Sequence, residues 1–280
     1  LWLEGSVGAF TGEGSDFLLG NEGDDWIEGG NGFDVIAGDN SELNFNSSVI
    51  GHDVMSAGQN EQDFDAESGD DIMVQGESVM RNEGMFGFDW AIHKGNQEAA
   101  DSDLLTRIFT TDEADILRDR FDQVEALSGW DKNDVLRGDN RTNIGAGDGE
   151  ADPDTGLPEG RLDNNEGLRA LLGDMIAAAP TGPGDDLEKA VAFDAGNILL
   201  GGGGSDTIEG RAGNDLIDGD SWLNVRIRVR DAGGNEIGSA ESMTGAVVGS
   251  GGAALYGGKS LTALIFDRTI NPGQLSIVRE

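Results

Sequence analysis

Residues Thr11–Asn40 read TGEGSDFLL, GNEGDDWIE, GGNGFDVIA and GDN, a repeat of nine residues. Its fourth position is glycine (Gly14, Gly23, Gly32), its sixth aspartate (Asp16, Asp25, Asp34) and its eighth a large aliphatic (Leu18, Ile27, Ile36). A fixed short period means that one small unit is stacked on itself. The glycines supply the positive φ of a tight turn and let carbonyls crowd together. The aliphatic points inward from a short strand, and the aspartate closes the turn with its carboxylate aimed at the carbonyls. The unit returns at Gly201–Glu209 and Gly210–Asp218, with Gly204 and Gly213 at position four and Asp206 and Asp215 at position six.

Outside these arrays the pattern decays but recurs. Asp71 with Met73, and Asp134 with Leu136, keep positions six and eight, and Asn197 takes the aspartate position at the entry to the second array. For Asp71 and Asp134 both a ligand and a plain turn residue stay open. Arg137–Asn140 echoes Ala37–Asn40, as if each left an array. The sequence is therefore divided into array one (1–40), degenerate coils (41–75), a partly helical insertion (76–126), a further degenerate coil (127–140), a loop-and-helix insertion (141–191), array two (192–221) and a C-terminal β segment (222–280). In the first insertion a helix is expected from a Thr110/Glu113 capping box to about Phe121, with Ile116, Leu117 and Phe121 on one face. In the second, a helix is expected over about Asn165 to Ala178, with Leu168, Leu171, Leu172 and Met175 apolar. Val225–Arg230 alternates apolar and basic residues as a half-buried strand does. Ile265–Phe266 and Leu275–Val278 read as further strands.

Composition limits the partners. The chain has 54 acidic and 18 basic residues, net charge -36, which disfavours nucleic acid and anionic membranes because both demand a basic face. Such self-repulsion calls for a cation. Calcium suits it, being a hard ion that takes six to eight carboxylate and carbonyl oxygens. Glycine is 46 of 280 residues, against a usual share of roughly 7%, and in register with the repeat it marks turns rather than disorder. There is no cysteine, so no disulfide or thiolate metal site. No apolar run is long enough for a membrane span. The start without Met, in mid-pattern, and an end (LSIVRE) unlike a secretion signal suggest a piece of a longer polypeptide.

Both arrays resemble RTX (repeat-in-toxin, haemolysin-type) calcium-binding repeats of bacterial proteins exported by type I secretion. The resemblance implies a mainly β fold, a right-handed parallel β-roll with two nonapeptides per coil, here interrupted by two partly helical insertions and ended by a β segment. It implies several calcium ions held by sixth-position side chains and by carbonyls of the glycine-rich turns. Asp16 and Asp34 would share one side with Asp25 opposite; Asn197 and Asp215 would share a side with Asp206 opposite. The location implied is extracellular, secreted or cell-surface. A second resemblance is carried by Gly84–Gly95 (GMFGFDWAIHKG) and Phe121–Leu136 (FDQVEALSGWDKNDVL). These are similar to stretches of secreted bacterial proteins that join RTX repeats to animal-type haem peroxidase domains, some implicated in manganese oxidation. The haem-domain motifs are absent from this chain, so haem and peroxidase activity would belong only to a parent polypeptide whose other domains are partners of this one. An adhesin or surface-layer segment is a further alternative. No catalytic residues emerge: no nucleophile elbow is present, and Gly257–Ser260 fails as a phosphate loop because Ala253 stands at its first glycine position. His52 and His93 are the only histidines, open to a core or a metal role. Phe86, Phe88 and Trp90 read as packing within the insertion, and Arg226, Arg228 and Arg230 as a solvated strand face. Asp152–Gly156 has D-x-D-x-G spacing without the rest of an EF-hand loop, and reads as an unbound acidic loop.

Overall fold

The computed structural model describes residues 8–39, 51–58, 62–141, 156–176, 191–193 and 196–280. Residues 152–155 of the acidic loop lie outside them.

A nonapeptide contributes a turn and a strand of three or four residues, too short to stand alone. Stacking makes it stable. Eight such strands form one parallel sheet, in the order Gly8–Phe10, Trp26–Glu28, Val54–Ser56, Ile72–Val74, Trp90–Ile92, Ala126–Ser128, Ile198–Leu200 and Leu216–Asp218. The alternate half-coils form the opposite face. Five parallel strands are Phe17–Leu19, Asp34–Ala37, Gln62–Asp65, Met80–Glu83 and Arg120–Asp122; three more are Asp101–Asp103, Val135–Arg137 and Thr207–Glu209. Parallel pairing requires a crossover, and each half-coil serves as the crossover of the other face. This is the parallel β-roll.

Eighth-position side chains fill the space between the faces. Leu18, Ile27, Ile36, Met55, Met73, Leu127, Leu136 and Leu199 are all fully buried and belong to one cluster. Burying each such side chain stabilises by about 1.5–3 kcal/mol, which is how strands this short persist. A second cluster covers the outside of the eight-stranded sheet. Trp26, Val54, Ile72, Trp90, Ala126 and Ile198 pack there against Leu168 and Leu172 of the second insertion and against Val225, Ile227 and Val229 of the C-terminal segment.

The first insertion differs from expectation. Four strands that the stacking needs, Met80–Glu83, Trp90–Ile92, Asp101–Asp103 and Arg120–Asp122, lie within 76–126. Strands of three or four residues leave no periodicity to read. The helix there is only Glu113–Ile116, capped by Asp112, whose side chain accepts the Ala114 N–H, and it buries nothing. Thr110 instead accepts the Asp112 N–H. Phe121 is a buried strand residue and Leu117 is exposed. Phe88 packs edge-on against Trp90 (6.1 Å) and Phe193 (6.0 Å), a core role, whereas Phe86 is half-buried.

The second insertion has a helix at Leu168–Leu172 and a 3-10 turn at Gly173–Met175, shorter than expected. The C-terminal segment is an antiparallel sheet ordered Glu236–Ala240, Val225–Arg230, Leu275–Arg279. Leu261–Phe266 is helix, not strand: Ser260 caps it by accepting the Ala263 N–H, and Leu261 and Leu264 face inward. Arg226 pairs with Glu236 and Glu280, and Arg228 with Glu236, so two of the three arginines are tied across the sheet. No helix among the described residues is long and apolar enough to cross a membrane.

Candidate metal centres

Each strand of the eight-stranded sheet after the first is entered from a turn whose last residue carries a side-chain oxygen. In stacking order these are Asp25, Asp53, Asp71, Asp89, Glu125, Asn197 and Asp215. The coil stacking joins them into a ladder. Asp25 N–H donates to Asp53 Oδ1 (2.7 Å), Asp53 N–H to Asp71 Oδ1 (2.6 Å), Asp71 N–H to Asp89 Oδ1 (2.9 Å) and Asp89 N–H to Glu125 Oε2 (2.7 Å). Asn197 Nδ2 donates to the Glu125 carbonyl (3.0 Å), and Asn197 N–H to Asp215 Oδ1 (2.9 Å). On the opposite edge Asp16 N–H donates to Asp34 Oδ1 (2.9 Å), and Asp134 N–H to Asp206 Oδ1 (2.9 Å). The edges are therefore shared as the two-unit coil requires: Asp16 with Asp34, Asp25 with Asp71, Asn197 with Asp215, and Asp134 with Asp206.

One oxygen of Asp34, Asp53, Asp71 and Asp89 thus serves the backbone, whereas both oxygens of Asp134 do, Oδ1 accepting the Ala100 N–H (2.8 Å) and Oδ2 the Trp130 N–H (3.0 Å). The second oxygens of Asp34, Asp53, Asp71 and Asp89 are buried without a hydrogen-bond donor. Burying an unpaired carboxylate oxygen is expensive, and a cation is the natural remedy. The turns around them are built from crowded carbonyls. A Cβ placed on Gly38 would fall 2.4 Å from Asp53 Oδ2 and 2.7 Å from the Ala66 carbonyl oxygen; one on Gly201 would fall 2.6 Å from Asp206 Oδ2 and 2.9 Å from the Gly219 oxygen. First-position glycine thus leaves room for a carboxylate and a carbonyl from different turns to approach one point. Fourth-position glycine has a different reason. At Gly32 φ is 139° and a Cβ would overlap the Gly14 carbonyl oxygen at 1.4 Å. Gly14, Gly23, Gly204 and Gly213 likewise have φ between 101° and 125°.

Electrostatics points the same way. Burial, and then the charge of the next carboxylate in line, pushes Asp53, Asp71 and Asp89 well above the usual carboxylate range; the neighbours are Asp71, Asp89 and Glu125 respectively. Burial also raises Asp215, and raises Asp39 to about 7. Among the described residues no three acidic or histidine side chains converge on a point, since the ladder places them in single file. An ion that takes six to eight oxygens must therefore complete its shell with turn carbonyls. That donor set, all oxygen and mostly neutral, fits calcium and not zinc.

Asp53, Asp89 and Glu125 were not among the sequence candidates. Gly51-His52-Asp53-Val54-Met55 and Gly87-Phe88-Asp89-Trp90-Ala91 keep the G-x-D-x-apolar signal and could have been found. Gly69 likewise supplies the fourth position for Asp71, at φ 147°. Glu125 has no such signature. The histidines are held in the roll: His52 Nδ1 accepts the Asp70 N–H (2.8 Å), and His93 Nε2 shares a hydrogen bond with Ser102 Oγ (2.8 Å). Burial lowers both to about 4, so each is neutral at pH 7.

Such a fold and such turns define a class, the metal-binding parallel β-rolls. The family model described as RTX calcium-binding nonapeptide repeat, in 4 copies, matches residues 10–40 and 191–221. The chain therefore carries RTX calcium-binding repeats at both ends of its roll. No curated protein and no solved structure matches it.

Proposed function

We propose that this chain is a calcium-folded structural region of a larger, secreted bacterial protein, and that Asp16, Asp25, Asp34, Asp71, Asp134, Asp206, Asp215 and Asn197 bind or order calcium with the adjoining turn carbonyls. Asp53 and Asp89 join that set. The observation that carries the proposal is the row of buried carboxylate oxygens without a donor. Without a cation the ladder is a column of like charges at close spacing, and the turns repel. With calcium bound between coils, the same carboxylates tie successive turns together. Binding energy is then folding energy. Extracellular calcium modules work at roughly 10⁻⁴–10⁻³ M, so the chain would stay loose in a low-calcium cytosol and close after export.

Circular dichroism and calcium titration calorimetry test this directly. The arrays should gain β signal on adding calcium, lose it in chelator, and respond far less to magnesium, which dehydrates reluctantly and demands octahedral geometry. A spectrum indifferent to calcium would refute metal-driven folding.

A further inference from the structure

Three arginines from outside the good repeats enter the acidic edge of the eight-stranded sheet. Arg161, in the second insertion, places Nη1 2.7 Å from Asp70 Oδ1, beside Asp71. Arg279, on the last strand, donates to the His52 carbonyl and lies 3.4 Å from Asp24 Oδ2. Arg141 is the most completely held. Its Nη1 donates to Glu125 Oε1 at 2.6 Å, its Nε to Asp139 Oδ2 at 2.9 Å and its Nη2 to the Val124 carbonyl at 3.2 Å; Nη2 also lies 2.8 Å from Asp139 Oδ2. The Glu125 side chain is 0% exposed and that of Arg141 14%.

The partners of Arg141 match the chemistry of a calcium shell: a ladder carboxylate, a second carboxylate from a turn, and a turn carbonyl. Its position matters as much. This is where the repeat departs furthest from its pattern. Glutamate replaces aspartate, the turn Gln123-Val124-Glu125 lacks glycine, and the next ladder member is the neutral Asn197. A guanidinium's fixed fork of donors meets two carboxylates and a carbonyl at once, as a spherical ion would. Asp139 belongs to the exit motif Arg137–Asn140, and its N–H donates to Asn197 Oδ1 at 2.9 Å. Arg141 therefore joins the coil of Glu125 to the coil of Asn197.

We propose that Arg141 is the resident cation of this coil step, holding Glu125, Asp139 and the Val124 carbonyl in place of a calcium ion. This step, between the sixth and seventh strands of the eight-stranded sheet, then closes without metal, while array one at the far end of the sheet waits for calcium. In a stack where each coil touches only its neighbours, a preformed step is a template from which order spreads along the roll. The proposal rests on the reading that the arrays take calcium.

Hydrogen exchange on the full chain, in calcium and in EGTA, tests it. In EGTA the amides of Ala126–Ser128 and Ile198–Leu200 should exchange at least about tenfold more slowly than those of Phe17–Leu19 and Asp34–Ala37, as separate stability units do. Arg141→Gln should bring the amides of Ala126–Ser128 and Ile198–Leu200 to the rate of the array-one strands in EGTA. Equal rates in the unmodified protein, or no change in R141Q, overturns the proposal. If R141Q fails to fold even in calcium, the double variant E125Q/R141Q decides. Recovery on removing the orphaned acid supports a counter-charge role, and no recovery overturns it in favour of packing alone. Phe17–Leu19 and Asp34–Ala37 gaining no protection from calcium would instead defeat the proposed function, a separate readout on different strands.

Discussion

Replacing Asp71 by asparagine should change stability in opposite directions with and without calcium. Asp71 is fully buried in the ladder. Its Oδ1 accepts the Asp53 N–H at 2.6 Å, which an asparagine oxygen can also do, and its own N–H still reaches Asp89 Oδ1 at 2.9 Å. The substitution therefore keeps the backbone ladder and deletes one charge. In chelator that charge is a liability: burial first, and Asp89 second, push the carboxyl well above its usual range. Removing an uncompensated buried group relieves on the order of 1–3 kcal/mol. In calcium the sign reverses. An ion at about 100 times its dissociation constant contributes about 2.7 kcal/mol, and D71N should lose most of that at one site. Urea unfolding followed by circular dichroism, run in parallel in EGTA and in calcium, measures both. If D71N destabilises equally in the two buffers, Asp71 is a hydrogen-bonding turn residue and the ligand argument fails.

Gly69→Ala should be more damaging than Gly14→Ala, although both glycines have φ in the left-handed region. A Cβ at Gly69 meets the Gly51 carbonyl oxygen at 1.7 Å, whereas at Gly14 nothing lies within 4 Å. The G14A loss should be about 1 kcal/mol and the G69A loss well beyond it, read from urea midpoints in calcium. The pH dependence in EGTA has a definite sign. Burial raises Asp65 to about 6 and Glu83 to about 7, with acidic neighbours adding to it. Their protonated forms favour the folded state, so their contribution is full below the unfolded values near 4 and is lost as pH rises through about 6 to 7. The urea midpoint in EGTA should therefore fall from pH 5 to pH 8, and a rise would contradict the assignment.

Much of the candidate site could be read from residues alone because its logic is local. Gly32 and Asp34 are two apart, within one turn, and the spacing of nine repeats that turn. The division of Asp16, Asp25 and Asp34 between two edges follows from two units per coil. What could not be read is local in a different sense. Asp25 and Asp53 are 28 residues apart, Asp89 and Glu125 36, and Asn197 and Glu125 72, yet each pair is one hydrogen bond apart in the stack. An insertion leaves a turn on one face and returns to the next coil, so it destroys the period in the chain without disturbing the stacking in space.

The sequence by itself determined the repeating unit, its parallel stacking, the inward column of Leu18, Ile27 and Ile36, and an oxygen-donor chemistry suited to calcium. These depend on contacts within one turn, or on a pattern repeated at constant spacing. The tertiary structure alone decided that the arrays are two ends of one eight-stranded sheet. It alone brought Glu125 into the ladder and set Arg141 between Glu125 and Asp139. Those outcomes depend on which coil lies above which, and stacking distance, unlike repeat spacing, leaves no mark on the order of residues.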